Sequence, residues 1–133
     1  MDNIKKFFEN DRFAEYVGIE LMEITPGKAK VRLKIRPEHL NGVDVVHGGT
    51  IFTLADFAFA VASNSHGTIA LGINASISYL KAARGGVLTA EAIEVARNPK
   101  LATYQINITD EKNDLIAAFQ GTVYRKKDKI VQD

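Results

Sequence analysis

Most of this chain alternates apolar and polar residues with the period of a strand, and one long stretch does not. Ala29, Val31, Leu33 and Ile35 alternate with Lys28, Lys30, Arg32, Lys34 and Arg36. That is the pattern of a half-buried antiparallel strand whose other face meets water. Ile19 to Thr25 reads as the strand before it, joined through the turn signal Pro26-Gly27. The period of two returns in Ile69, Leu71, Ile73, Ala75, Ile77 and Tyr79, and again in Leu88, Ala90 and Ala92. There the phase slips to Ile93 and Val95, which predicts a bulge. Tyr104, Ile106 and Ile108 form a further alternating run, and Leu115 to Arg125 the last one. Turns are expected at Arg84-Gly85-Gly86, Asn98-Pro99 and Lys112-Asn113-Asp114. The charged residues 126–133 read as a frayed tail.

Two stretches have helical spacing instead. Ile4, Phe7 and Phe8, followed by Phe13, Tyr16 and Val17, mark an N-terminal helical segment over residues 1–17 that stops at Gly18. Gly48 to about His66 is rich in Ala, Leu and Phe, lacks Pro, and closes at Gly67. It is apolar on nearly every side, so it predicts a buried helix. Such a helix needs a sheet around it, and an antiparallel sheet needs one face covered. Both needs are met in a single α+β domain over residues 1–133. Its long central helix would be wrapped by a curved antiparallel sheet of five to six strands.

Composition narrows the function classes. At 133 residues, 46% hydrophobic and 25% charged, the chain is an ordinary globular one. A formal net charge of +1 argues against nucleic acid held by bulk charge. Without cysteine there are no disulfides and no thiolate ligands or nucleophiles. His39, His47 and His66 do not share metal-ligand spacing, so no metal site is expected. The N-terminus has no apolar run of a signal peptide, and the longest apolar stretch is broken by Asp56. A cytoplasmic protein without a membrane partner is the expectation.

Asp56 is the chemical anomaly. It lies mid-helix beside Ala55 and Phe57, and no Lys or Arg occurs between Gly48 and His66. Burying a carboxylate without a partner costs several kcal/mol, and such groups cluster at functional sites. A packing role, facing trapped water or a distant arginine, is the alternative. Gly49, Thr53, Asp56, Ala60 and Ser63 fall on one helical stripe of small or polar residues, which suits the wall of a ligand pocket. At the helix mouth stands His47-Gly48-Gly49-Thr50. The first N–H groups of a helix lack internal acceptors, and glycine lets a ligand oxygen approach them, as in an oxyanion hole. Asn41 could add an amide donor, or Asn41-Gly42 could be only a turn. Eight residues of helix separate Gly48 from Asp56, roughly 12 Å. If both act on one carbonyl, one of them comes from a second copy, which implies a dimer with two equivalent sites.

The run His47-Gly48-Gly49-Thr50-Ile51-Phe52-Thr53-Leu54-Ala55-Asp56 resembles the H-G-G-x-x-x-x-L-A-D signature of hotdog-fold acyl-CoA thioesterases, nearest to the phenylacetic-acid-degradation type. The likeness extends to Asn41-Gly42, Asp56–Ala60, Ser63–Gly67 and Ile77-Ser78-Tyr79-Leu80, within a span from Gly18 to Arg125. The resemblance implies a hotdog fold paired into dimers and usually tetramers. It implies an acyl-CoA substrate, aryl-acetyl or short-to-medium in its acyl group, with no cofactor beyond the coenzyme A of the substrate. It implies that the Gly48 amide and the Asn41 side chain polarise the thioester carbonyl. The partner subunit's Asp56 then attacks or activates water. His47, Gly49, Thr53 and Ser63 would border the substrate. The hydroxyl some relatives place after the helix is missing from Gly72-Ile73-Asn74. Lys81, Arg84, Arg97 and Lys100, with Arg125, are candidates for the CoA phosphates, against the plainer reading of solvated turn charges. Two other functions remain open at this point: a non-catalytic acyl-CoA sensor, and an enoyl-thioester hydratase or dehydratase using His47.

Overall fold

The long apolar run does form one helix, α3 (Gly48–Asn64), and strands occupy most of the remaining chain. The computed structural model describes residues 1–130. Two short helices come first, α1 (Asp2–Glu9) and α2 (Arg12–Val17), then β1 (Ile19–Thr25) and β2 (Lys28–Lys34). A 3-10 turn at Pro37–His39 and a loop lead into α3. Four strands follow, β3 (Thr68–Tyr79), β4 (Val87–Arg97), β5 (Leu101–Thr109) and β6 (Leu115–Lys129). All pairings are antiparallel, in the order β1-β2-β4-β5-β6-β3. Among the described residues no helix is long and apolar enough to cross a membrane.

The inner face of the sheet holds the alternating residues anticipated from the sequence: Val31 and Leu33, Leu88 and Ala90, Ile106 and Ile108, Phe119 and Val123 are all buried. They close on Leu54, Ala55, Ala58 and Val61 of α3, which are fully buried. Phe59 points at the sheet where side chains have been removed to receive it. A Cβ on Gly121 would lie 2.6 Å from its ring, and one on Gly72 3.2 Å.

Three expectations need correction. Helix α3 is not covered on every side: Gly49 and Asp56 are exposed, and Thr53 and Ala60 partly so. The sheet stops short of this stripe and leaves it as an open face. Residues 126–129, read as frayed, belong to β6, because Thr68 pairs with Lys129 across the ladder. Backbone pairing outweighs the charge of the side chains; the end of that expected tail, 131–133, lies outside the described residues. The bulge expected after Ala92 is present, but without the inward shift of Ile93 and Val95 that suggested it. Ile93 and Val95 stay on the outer, exposed face, and the register breaks between Glu94 and Ala96. Glu94 takes the inward position because it is met there by the His66 ring (Nε2 to Oε1, 2.8 Å) and the Tyr104 hydroxyl (2.8 Å). Burial works against its charge, but these hydrogen bonds, with His66 and Arg97, hold its carboxyl below the usual range.

Strand β3 ends the sheet, and its outer edge carries no partner strand among the described residues. Leu71 and Ile73 on it are 53% and 59% exposed. A twelve-residue edge with exposed aliphatic side chains is a template for pairing with another strand.

Candidate active site

Helix α3 opens with its N-terminal N–H groups almost fully assigned. The His47 ring accepts from the Gly49 N–H through Nδ1 (2.8 Å), and the His47 carbonyl accepts from Thr50 (2.9 Å) and Ile51 (3.2 Å). The bond from Ile51 is the first regular one of the helix. With the His47 N–H, which donates to the His39 carbonyl (2.8 Å), three of the four donors a helix start leaves over are met, those of His47, Gly49 and Thr50. The fourth, the Gly48 N–H, has no acceptor among the described residues. It carries the positive end of the helix dipole and is the donor left for a ligand oxygen.

Gly48 is hemmed in by a residue the sequence did not single out. The Tyr79 hydroxyl donates to the Gly48 carbonyl at 3.1 Å, and a Cβ at position 48 would lie 3.3 Å from the Tyr79 ring. A side chain there would push the ring away. The register of β3 brings Tyr79 to this place; the sequence showed it only as part of the Ile77–Leu80 likeness, without a role.

Asn41 is both a turn and a donor. Its Oδ1 accepts from the Val43 (3.0 Å) and Val45 (3.3 Å) N–H groups. That fixes which end of the amide is which, and leaves the NH2 group without an acceptor among the described residues. The turn is tight enough to place Asp44 at φ 60°.

Asp56 lies on the open stripe, one wall reachable by water and the other crowded by the helix. Burial pushes its carboxyl above the usual carboxylate range, and the charge of Asp11 adds to this. Asp11 is the N-cap of α2 and accepts from the Ala14 N–H at 2.9 Å. Thr53 sits one turn before Asp56, with its hydroxyl bonded to the Gly49 carbonyl (2.7 Å). Ser63 does not join them. It is 3% exposed, its hydroxyl bonds back to the Ala60 carbonyl (3.2 Å), and the Asn64 amide, itself bonded to Ala70 of β3, lies against it. Among the described residues no cluster of His, Asp and Glu suits a metal ion.

His39 and Arg36, also not foreseen as site residues, fasten α2 to the loop before α3. The His39 ring bonds to the Val17 carbonyl (2.7 Å) and the Arg36 N–H (2.9 Å), so Nε2 carries the proton and Nδ1 accepts. The Arg36 guanidinium donates to the carbonyls of Tyr16 (3.2 Å) and Val17 (3.1 Å), the negative end of α2. From the other side, the His39 carbonyl accepts from the His47 N–H at 2.8 Å.

The backbone at Gly48-Gly49 separates two cavities. A smaller one, about 310 Å³, has Gly48, Tyr79, Leu80, Lys81 and Ala83 on its walls. The larger, about 540 Å³, lies between α2 and the start of α3, with Phe13, Tyr16, Val17, His47, Gly49 and Thr53. The basic candidates do not converge. Lys81 is paired with Asp114 and Asp110, and with Arg84 it lies near the mouth of α3. Arg97 is at the opposite end, bonded to the His66 Nδ1 (2.7 Å), with Lys100 in the turn beyond it. Arg125 donates to the Asn98 carbonyl in that same turn.

A long helix half-enclosed by a curled antiparallel sheet, with a free amide at its mouth, is the hotdog architecture. Residues 44–117 match the thioesterase superfamily, and the chain belongs to that family. A putative esterase of Archaeoglobus fulgidus is 47% identical over 94% of this chain and 82% of its own length. The acyl-coenzyme A thioesterase PaaI of Escherichia coli is 34% identical over 92% of this chain and 89% of its own. The solved structure of the E. coli PaaI protein, from the phenylacetic acid degradation operon, superposes with a TM-score of 0.93, covering 98% of this chain and 95% of that one.

Proposed function

We propose that this enzyme hydrolyses acyl-CoA thioesters, aryl-acetyl or short-to-medium in the acyl group, at sites shared between two subunits. One observation carries the reading: among the described residues the Gly48 N–H is the donor left over at the mouth of α3, while a carboxylate with no cation paired to it stands about two turns further along the helix, on its open stripe. The thioester carbonyl oxygen accepts from the Gly48 N–H and from the amide NH2 of Asn41. The partner subunit's Asp56 takes a proton from water, whose oxygen bonds to the carbonyl carbon, or attacks that carbon itself. The C–S bond breaks, and CoA leaves as a thiolate that takes up the proton removed from water; after direct attack, water then hydrolyses the acyl-aspartyl anhydride, which releases the acid, restores Asp56 and supplies that proton. The raised carboxyl of Asp56 makes it a stronger base than an ordinary aspartate.

The dimer follows from length. Gly48 and Asp56 of one regular helix are roughly 12 Å apart, too far to meet at one carbonyl. Joining the free β3 edges of two copies about a two-fold axis would set the two α3 helices antiparallel, each mouth beside the other's carboxylate. A tetramer would be a pair of such dimers. The E. coli relative supports both the acyl-CoA substrate and an aryl-acetyl group by its name and its operon. Hydratase chemistry would require His47 as a base, and its geometry speaks against that: with Nδ1 accepting from Gly49, Nε2 already holds the proton.

The Asp56→Asn variant tests the assignment. Its kcat for thiol release from phenylacetyl-CoA should fall by at least about 10²-fold, while sedimentation shows the same oligomer. Near-normal turnover in that variant would remove Asp56 from the chemistry.

A further inference from the structure

We propose that the cavity between α2 and the first turns of α3 receives the acyl group of the substrate, and that Phe13 and Tyr16 set which acyl group is accepted. The inference rests on the thioesterase reading above and extends it to selectivity.

A thioester carbonyl held at Gly48 has two arms, the acyl group and the pantetheine chain of CoA. The site has two cavities, one on each side of the Gly48-Gly49 backbone. The larger, about 540 Å³, falls within the range of small-ligand pockets. Its α2 wall is aromatic, Phe13 and Tyr16 beside Val17, opposite the polar Arg36, Glu38, His39 and His47. Phe13 and Tyr16 are 61% and 80% exposed in the chain, unusual values for such residues on a helix of six residues. They face the open stripe of α3 across this space, at the end that carries Gly49 and Thr53.

Apolar groups held there are fixed, not loose. His39 and Arg36 tie the last carbonyls of α2 to the loop that delivers His47 to the helix mouth. The backbone that carries the two aromatic rings is thereby fastened to the helix mouth by hydrogen bonds that do not involve the rings. The smaller cavity is left for the pantetheine arm. It ends at Ala83, next to the exposed Arg84. A further space of about 490 Å³ on the other side of α2 is bordered by Glu9, Asp11, Glu15 and Glu20. Its charge would repel an anionic CoA ester, so it is no competitor.

The test compares kcat/KM for phenylacetyl-CoA and acetyl-CoA in the full-length protein carrying Tyr16→Ala, Phe13→Ala or Leu80→Ala. Removing one apolar contact from a substrate pocket changes discrimination by about 10-fold or more. The phenylacetyl to acetyl ratio should fall by that amount in the two α2 variants. Leu80→Ala, on the pantetheine side, should alter both substrates alike. An unchanged ratio in both α2 variants would overturn the proposal. So would loss of both activities together with dissociation of the oligomer, which would make the aromatics a subunit contact. If the wild-type protein releases thiol from neither ester, the thioesterase reading itself fails, a separate outcome.

Discussion

At position 48 the missing side chain matters as much as the groups around it, because Tyr79 occupies the space a Cβ would need. Glycine there, the histidine cap at 47 and the Asx turn at 41 leave two N–H donors unspent, and the sequence already showed all three residues. Asp56 was legible as an oddity but not as an exposed one. Its neighbours in sequence are apolar, yet the sheet does not reach that side of α3. Its raised carboxyl has a consequence for pH. The working form is ionised, so activity is present above its pKa and is lost as pH falls through it. The acid limb of kcat/KM should therefore lie above that of an ordinary aspartate, near pH 4. Asp11→Asn keeps the cap of α2 and removes the repelling charge. It should move that limb to lower pH, and an unmoved limb would exclude Asp11 from the tuning.

At the scale of elements, the period of two and the single apolar run were enough to place the strands and the long helix near their observed ends. What they did not show depends on pairing between distant segments. Glu94 could not be seen to turn inward, because His66 and Tyr104, which receive it, come from other elements. Likewise Ser63 shares a helical face with Asp56, yet it is buried, which its place on the helix alone could not show. The glycine contacts of Phe59 belong to this scale as well. Gly121→Ala would drive a methyl into a ring in a close-packed layer, where overpacking costs about 1–3 kcal/mol. Urea unfolding should show a loss of that size. A midpoint equal to the wild type would mean that Phe59 has room to move.

For the whole molecule, the governing distance is that between the two ends of one site. If amide and carboxylate come from different subunits, two inactive variants can repair one another. Asp56→Asn and Asn41→Ala, denatured together and refolded in equal amounts, should form mixed dimers in which one site carries both lesions and the other neither. Random pairing makes about half of the dimers mixed, so about a quarter of wild-type activity should return. No gain over the separate variants would place both groups in one chain and dismiss the shared site. The tertiary ladder between β3 and β6 leaves β3 outermost, which is why the sequence could imply a second copy from helix length but not show where it docks.

The clasp on α2 has one more consequence. Arg36 and His39 grip main-chain oxygens of residues 16 and 17, and every amino acid has such an oxygen. The hold is indifferent to what α2 displays, so new side chains can be tried on this short helix without loosening its mount. A lineage, or an engineer, could exchange the selector and leave the hydrolytic apparatus undisturbed.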